Sequence, residues 1–170
     1  MDDQNLIPSF QVDHNRLTPG VYISRVDKVG SAYVTTFDVR FLKPNTIFMS
    51  PASMHTIEHI GATVLRNSAQ WKDKLIYWGG MGCLTGFYMV MKGKMPVEEA
   101  SSAVVGVLKA IIAWKGPVPG GNKINCGNYR MHNLLEAKRD CKAYLDAKWC
   151  HSYPMAARRK VKGVGEFHDS

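Results

Sequence analysis

The stretch that decides the fold of this chain is 52–68, which reads ASMHTIEHIGATVLRNS. Its apolar residues recur at helical spacing: Ile57, Ile60, Val64 and Leu65. Apolar residues at intervals of three and four predict an amphipathic helix with one face in the core. Pro51 precedes the stretch and Ser53 is a plausible N-cap, so we expect the helix to begin near Ala52.

The same helix carries two histidines, His55 and His59, with Glu58 between them. Residues at i and i+4 share one face of a helix, so both imidazoles can reach one metal ion. Glu58 lies beside that face, and a metal with an acid/base group is the minimum equipment of a metal-assisted enzyme. The spacing leaves the third ligand open between Cys126 and Glu136. The competing interpretation is two histidines that make ordinary hydrogen bonds.

Length and composition indicate one globular domain. The chain has 170 residues, of which 45% are apolar and 21% charged, which is enough for a real core. No segment approaches the roughly 20 apolar residues of a membrane span, and the N-terminus lacks the basic and apolar regions of a signal peptide. The four cysteines are irregularly spaced, so we expect free thiols or metal ligands in a cytoplasmic protein.

Strand and helix patterns surround the central helix. Residues 21–26 and 32–41 are rich in β-branched and aromatic residues and flank a turn at 28–31, which predicts a strand pair. Further strands are expected at 46–49, 75–78 and 87–91, and further helices at 96–115 and 131–149. Glycine and proline at 115–121 predict a loop. This order favours an α+β layer fold.

The end of the chain, 151–170, is a basic tail on a protein whose formal net charge is +8. Its basic residues lie close together: Arg158, Arg159, Lys160 and Lys162. A basic tail can bind nucleic acid, but aromatic residues do not interleave with these charges and no nucleic-acid motif is recognised. We therefore favour a solvated tail and do not expect a nucleic-acid partner.

Six segments of the chain resemble the S-ribosylhomocysteine lyase family, LuxS, in the order of that family. They read SFQVDH at 9–14, FDVRFLKPN at 37–45, HTIEH at 55–59, RN at 66–67, MGCLTGFY at 81–88 and CGNYRMH at 126–132. The resemblance implies an α+β fold in which an antiparallel sheet packs with about three to four helices. It also implies a single LuxS-like catalytic domain over 1–150, followed by the tail at 151–170.

The resemblance assigns roles to the candidate site residues. It implies that His55, His59 and Cys126 hold one divalent ion per subunit and leave the open position that a catalytic metal requires. The native ion of the family is iron(II), and zinc(II) or cobalt(II) can occupy such a ligand set. Cys83 and Glu58 match the acid/base pair of the family. The plain alternatives are a buried, inert thiol and a hydrogen bond to a ligand histidine.

Four further positions match residues that contact the substrate in the family. Ser9, His14 and Arg40 correspond to residues that hold the ribose, and Arg66 to a residue near the amino-acid end. In that family the site lies at a homodimer interface, and the N-terminal segment reaches into the pocket of the partner. The expected partners are therefore a small-molecule substrate and a second copy of the chain. The ordinary alternatives are surface ion pairs for the arginines and a cap or turn for Ser9.

The implied reaction releases homocysteine from S-ribosylhomocysteine. The second product is 4,5-dihydroxy-2,3-pentanedione, the precursor of the quorum-sensing signal autoinducer-2. The ribose carbonyl is moved along the chain and homocysteine is lost by β-elimination, so each step takes a proton from a carbon next to a carbonyl. A metal that acts as Lewis acid and two acid/base side chains suit these steps.

The chain departs from the family pattern just before Cys83, where it reads YWGG at 77–80 in place of Asp-x-Ser-Pro. That acid would pair with the substrate ammonium, whereas an aromatic ring attracts a cation by only about 0.5–2 kcal/mol. Two other functions fit parts of the chain. One is an HxxEH metallopeptidase with Glu136 as third ligand, and the other is a non-catalytic relative that binds metal or nucleic acid.

Overall fold

The computed structural model describes residues 12–147, so Ser9 and the predicted tail at 151–170 lie outside the described residues. Seven elements follow one another: β1 (Gly20–Val29), β2 (Ala32–Arg40), α1 (Pro51–Asn67), β3 (Leu75–Gly80), β4 (Gly86–Lys92), α2 (Val97–Ala113) and α3 (Leu134–Asp146). Four strands and three helices in this order form the α+β arrangement that the sequence predicts.

The strands form one antiparallel sheet in the order β1-β2-β4-β3, which confirms the predicted sheet. β1 and β2 are joined by a tight hairpin turn, in which Gly30 has a φ of 61° that a residue without Cβ adopts freely. β4 lies beside β2 with Gly86 opposite Arg40. A Cβ at Gly86 would come within 2.5 Å of the Val39 carbonyl oxygen, so this pairing requires glycine.

The alternation of side chains along β2 separates a core face from a polar face. Phe37 and Val39 are fully buried in the hydrophobic core, to which α1 and α2 contribute Ile57, Ile60, Val104, Leu108 and Ile111. Successive side chains of a strand point to opposite sides of the sheet, so Asp38 and Arg40 lie on the other face. Arg40, the one residue of β2 that the sequence marks as functional, is thus turned away from the helices.

Helix α1 begins at Pro51 and is capped by Ser50, so the predicted cap at Ser53 is wrong. The Ser50 side chain accepts a hydrogen bond from the backbone N–H of Ser53. The Ser53 hydroxyl instead donates to Asp140 of α3 at 2.6 Å, and the Ser50 hydroxyl donates to Glu136 of the same helix. The two serine side chains therefore link the start of α1 to α3 through tertiary hydrogen bonds.

The predicted strand at 46–49 is also wrong. Asn45 has a φ of 61° within a turn, and the side chain of Phe48 is 72% exposed. The Met49 N–H donates to the carbonyl oxygen of Leu84 at 2.8 Å, and one such bond is not a strand ladder. The segment is a connection that leads from β2 into α1.

The other predicted elements are confirmed with shifted ends. β3 and β4 extend past the predicted runs, and α2 and α3 each begin after the predicted start. Glu98 and Glu99 occupy the first turn of α2, where the positive end of the helix dipole favours acids. None of the helices within 12–147 is long and apolar enough to cross a membrane.

Candidate metal centre and reactive thiol

Four side chains with metal-ligating atoms converge beside α1. His55 and His59 come from consecutive turns of α1, Cys126 from the connection between α2 and α3, and His132 from the residues just before α3. One donor atom of each side chain lies within 4.8 Å of the donor atoms of the others. The structure therefore brings together the three predicted ligands and adds a third histidine to them.

Backbone carbonyl groups fix the orientation of two of these imidazoles. Nδ1 of His55 is 2.9 Å from the carbonyl oxygen of Met131, and Nδ1 of His59 is 2.8 Å from that of Pro119. A carbonyl oxygen can only accept, so each Nδ1 carries the proton and each Nε2 presents a lone pair. Histidines that bind a metal through one nitrogen commonly donate the other N–H in this way.

A tight turn positions the thiol of Cys126. The side-chain oxygen of Asn122 accepts hydrogen bonds from the N–H groups of Ile124 and Asn125 at 3.0 and 3.1 Å. The backbone carbonyl of Asn122 accepts from the Cys126 N–H at 3.0 Å. Sγ of Cys126 then lies 3.4 Å from Nε2 of His55, so the sulfur and this imidazole can bind the same ion.

His132 is held by a different kind of contact. The Thr56 hydroxyl donates its one proton to the Ala52 carbonyl at 2.7 Å, so it can only accept from Nδ1 of His132, 3.4 Å away. Nε2 of His132 is buried and has no hydrogen-bond partner among the described residues. Burial lowers the pKa of His132, and the neighbouring His55 and His59 lower it further, so the neutral imidazole is favoured.

This donor set fits a divalent transition-metal ion. A buried lone pair without a partner, two further imidazole lone pairs and a thiol are groups whose interactions a cation would complete. Nitrogen and sulfur ligands suit zinc, iron(II) or cobalt(II), whereas magnesium and calcium prefer oxygen. Glu136, the alternative third ligand, is not in the cluster and accepts a hydrogen bond from Ser50.

The predicted glycine-rich loop passes close to the cluster. Gly120 has a φ of 67°, and a Cβ at this position would lie 3.5 Å from Nδ1 of His59. A Cβ at Gly121 would lie 3.4 Å from the His132 ring. The left-handed φ of Gly120 favours glycine, whereas an added Cβ at either position would meet the imidazoles only at ordinary contact distance. The loop therefore runs alongside both rings and presents the Pro119 carbonyl to His59.

The second functional region is the turn between β3 and β4, which carries Cys83. Leu84 has a φ of 58°, and its N–H donates to the Met81 carbonyl at 2.9 Å, which closes the turn. A left-handed conformation at a residue with a side chain costs on the order of 1–3 kcal/mol, and such strain clusters at functional sites. The Leu84 carbonyl also accepts from Met49, which ties the turn to the segment that enters α1.

Arg40 connects this turn to β2. Its buried guanidinium forms a two-bond ion pair with Asp38, from Nε to Oδ1 at 3.1 Å and from Nη2 to Oδ2 at 2.6 Å. The remaining nitrogen, Nη1, donates to the Thr85 hydroxyl at 2.5 Å and to Sγ of Cys83 at 3.6 Å. A residue that the sequence assigns to the ribose therefore also places a positive charge beside the thiol.

These contacts change the chemistry of Cys83. Partial burial acts to raise the pKa of the thiol, but hydrogen bonds from Thr85 and Arg40 and the Arg40 charge outweigh it, so the pKa is lowered. Cys83 is exposed and carries more of the reactive thiolate than an ordinary cysteine. The alternative of a buried, inert thiol is wrong for Cys83 and describes Cys141, which is fully buried and whose pKa burial raises.

The remaining predicted site residues lie around these two regions. The carboxylate of Glu58, on α1 between the two histidines, has no hydrogen-bond or ion-pair partner within 12–147. Nδ1 of His14 lies 2.9 Å from the backbone carbonyl of the residue two positions earlier. Arg66 donates to the Ile76 carbonyl at 2.9 Å and is exposed. Ser9 falls outside the described residues.

The departure at 77–80 has a structural consequence. The side chain of Tyr77 occupies the space beside Gly79: a Cβ at Gly79 would come within 1.9 Å of the Tyr77 hydroxyl. The glycine therefore makes room for the tyrosine, and the two replacements belong together. Tyr77 is 47% exposed and directly follows Ile76, whose carbonyl binds Arg66.

The sequence reasoning missed three residues of these regions. His132 belongs to the same matched segment as Cys126, and a histidine closely following a candidate ligand was the signal available for it. Asp38 lies two residues before Arg40 on β2, and strand alternation, which places such residues on one face, was the signal available for it. Thr85 reaches Arg40 from the turn before β4, and because strand register is not readable from the sequence, no signal pointed to its part in the thiol site.

Comparison with known proteins agrees with this geometry. The model of the family described as S-ribosylhomocysteinase (LuxS) matches residues 7–153. S-ribosylhomocysteine lyases of Phocaeicola vulgatus, Porphyromonas gingivalis and Borreliella burgdorferi are 46%, 44% and 42% identical to this chain over 140 residues. These residues are 82% of this chain and 87%, 88% and 89% of those proteins, respectively. The chain therefore belongs to the LuxS family.

Proposed function

We propose that this protein is an S-ribosylhomocysteine lyase, which forms homocysteine and 4,5-dihydroxy-2,3-pentanedione, the precursor of autoinducer-2. The observation that carries the proposal is that one chain of the LuxS family combines a nitrogen and sulfur metal cluster with an activated thiol. The reaction takes protons from carbon next to a carbonyl, so it needs a Lewis acid and a base together.

We assign His55, His59 and Cys126 as the ligands of one divalent ion per subunit. The Nε2 lone pair of His55 and the nearby Sγ of Cys126 support this assignment, as does the matching tautomer of His59. These three protein ligands leave a position for the substrate, next to the fourth donor of the cluster, His132. Iron(II) is our assignment for the native ion, with zinc(II) and cobalt(II) as substitutes. When bound, the ion supplies a Lewis acid that polarises a substrate carbonyl.

Proton transfer is assigned to Cys83 and Glu58. The Cys83 thiolate accepts a proton from the hydroxyl-bearing carbon next to the carbonyl, and the resulting thiol returns it to the former carbonyl carbon. The hydroxyl proton passes to the former carbonyl oxygen, so the carbonyl moves by one carbon along the chain. Glu58 serves as the second proton carrier, and its carboxylate has no competing partner within 12–147. A further deprotonation then breaks the carbon–sulfur bond, and homocysteine leaves as the thiolate.

Substrate binding is assigned to Ser9, His14 and Arg40 at the ribose and to Arg66 at the amino-acid end. The position of Arg40 supports its place in the site, because its Nη1 faces Cys83 and a sugar against the base would lie next to Arg40. We infer that the active unit is a homodimer with shared sites, in which the N-terminal segment of one copy completes the site of the other. Tyr77 is then the residue next to the amino-acid end that differs from the family pattern.

We further infer that the catalytic unit spans 1–150 and works in the cytoplasm. The cysteines of the described part of the chain are free thiols. Both Cys83 and Cys126 must remain reduced, the first as a base and the second as a thiolate ligand. A reducing compartment preserves both, because oxidation of either sulfur would remove its lone pair from the site.

The proposal is tested by release of homocysteine from S-ribosylhomocysteine. Protein purified without oxygen is loaded with iron(II) or cobalt(II), and the product is quantified by mass spectrometry. We expect release in proportion to bound metal, loss of release after chelation and its return when metal is added back. One equivalent of bound metal without any release would contradict the proposed substrate.

A further inference from the structure

The hydroxyl of Thr85 lies between the guanidinium of Arg40 and the sulfur of Cys83. Its Oγ1 is 2.5 Å from Nη1 of Arg40 and 3.1 Å from Sγ of Cys83. Thr85 is 5% exposed, so water does not replace these partners freely. Neither the family match nor the predicted ligand and base assignments give this residue a role.

The number of N–H and O–H protons on each group determines which group donates in these hydrogen bonds. A guanidinium has only donors, so Arg40 donates to the Thr85 oxygen. The single proton of that hydroxyl is then free to point at Cys83. The sulfur receives the Thr85 hydroxyl, the Arg40 Nη1 at 3.6 Å and a hydrogen bond from the Thr85 backbone. Donors surround it, which is the environment of a thiolate.

The backbone and the ion pair hold this arrangement in place. The Thr85 carbonyl accepts from the N–H groups of Phe41 and Leu42 at 2.9 and 3.0 Å, which fixes Thr85 against the end of β2. Asp38 occupies Nε and Nη2 of Arg40, so only Nη1 is directed at the turn. The other charged or titratable groups whose charges reach this region are Tyr88 on β4, His14 and Arg25.

We propose that Thr85 is a positioning residue, whose hydroxyl is oriented by Arg40 to donate a hydrogen bond to the Cys83 sulfur and so keep it in the thiolate form. The effect of Thr85 on turnover rests on the proposed lyase function, whereas its effect on the thiolate form of Cys83 does not. The role requires the hydroxyl and not the methyl group of Thr85, so serine can perform it and valine cannot.

The test compares Thr85→Val, which keeps the shape, with Thr85→Ser, which keeps the hydroxyl. The rate of alkylation of Cys83 by iodoacetamide is followed from pH 5 to 10 by mass spectrometry of the peptide that contains Cys83. We expect the midpoint in Thr85→Val to rise by about one pH unit, which is about a tenfold smaller thiolate fraction at neutral pH. Thr85→Ser is expected to stay within a few tenths of a unit of the parent protein. Homocysteine release should fall in Thr85→Val and return in Thr85→Ser.

Bound metal and melting temperature are measured on the same samples, so that an unfolded variant is recognised. If Thr85→Val is misfolded, Thr85→Ala replaces it with the same expectation. An unchanged alkylation midpoint in the folded valine or alanine variant would overturn the proposal, as would equal shifts in the serine and valine variants. Absence of homocysteine release from the parent protein would instead count against the lyase function, because the thiol titration does not depend on the substrate.

Discussion

The metal cluster and the thiol region are built by different means. The imidazoles of His55 and His59 are oriented by backbone carbonyls of the segments before and after Cys126, whereas Cys83 is surrounded by side-chain donors from Arg40 and Thr85. These carbonyls are positioned by the backbone conformation of the loops, so the orientation of the two imidazoles depends on that conformation and not on any loop side chain. The thiol region depends on a buried ion pair, which a single substitution can remove.

The largest effect is expected from removal of a ligand in the cluster. Cys126→Ala should weaken metal binding on the order of a thousandfold, because even residues that only support a ligand contribute about 10–100-fold. Metal affinity is measured by competition with a chelator. Glu136→Ala is the matched control, since this carboxylate binds Ser50 and should leave the metal affinity nearly unchanged. A comparable loss in both variants would make Glu136 a ligand after all.

The thiol region is expected to lose most stability when its buried ion pair is removed. Asp38→Ala leaves the buried guanidinium of Arg40 without its carboxylate and should lower the free energy of unfolding by about 3–5 kcal/mol. The control is Asp27→Ala, because its pair with Arg25 is half exposed and should contribute less than about 1 kcal/mol. Both values come from urea unfolding of the metal-free proteins. Similar losses would show that burial gives the Asp38 pair no special weight.

The exposed thiol of Cys83 and the buried thiol of Cys141 are expected to differ in their dependence on pH. The pKa of Cys83 is lowered, so the thiolate forms as pH rises and kcat/KM should increase through a midpoint below the ordinary thiol value of 9.0. The stability that this group contributes is lost as pH falls through its folded pKa. Alkylation of Cys83 should show the same midpoint, whereas Cys141 should stay unmodified throughout. A Cys83 midpoint at or above 9.0 would contradict the proposed donors.

The smallest effect is expected where the glycine-rich loop meets the cluster. Gly120→Ala strains a residue at a φ of 67° and adds a Cβ beside His59, so it should weaken metal binding by about tenfold or less. Gly116→Ala is the control, because Gly116 also has a positive φ, of 91°, but has open space around it. Both variants should lose about 1 kcal/mol of stability. An equal loss of metal affinity in Gly116→Ala would assign the effect to strain alone.

Much of the fold could be predicted because its elements carry local patterns. The strand pair around Gly30 and the helix with His55 follow from alternation and helical spacing, and both are confirmed. The strand at 46–49 was wrong because its residues resemble a strand locally but, among residues 12–147, pair with no strand. The cap at Ser53 was wrong because that hydroxyl binds Asp140 of another helix.

The site could be predicted only in part, for the same reason. Two histidines on one helix face are visible as a spacing of four residues. The acceptors that fix their tautomers, at Met131 and Pro119, lie 76 and 60 residues away along the chain. Which carbonyl faces which ring depends on the loop path, and a sequence pattern does not contain it. The donors around Cys83 likewise depend on strand register.

We infer that the metal cluster binds the ion while Cys83 transfers protons, each without the other. This separation is tested most directly by measuring bound metal and homocysteine release in one sample. Parent protein and Cys83→Ala are compared without oxygen after loading with iron(II). We predict one equivalent of metal in both proteins and a fall in release of about 10²–10⁴-fold in Cys83→Ala, the usual contribution of a general base. Release by Cys83→Ala at the parent rate would contradict the assignment of the base, and loss of its metal would contradict the separation of the two regions.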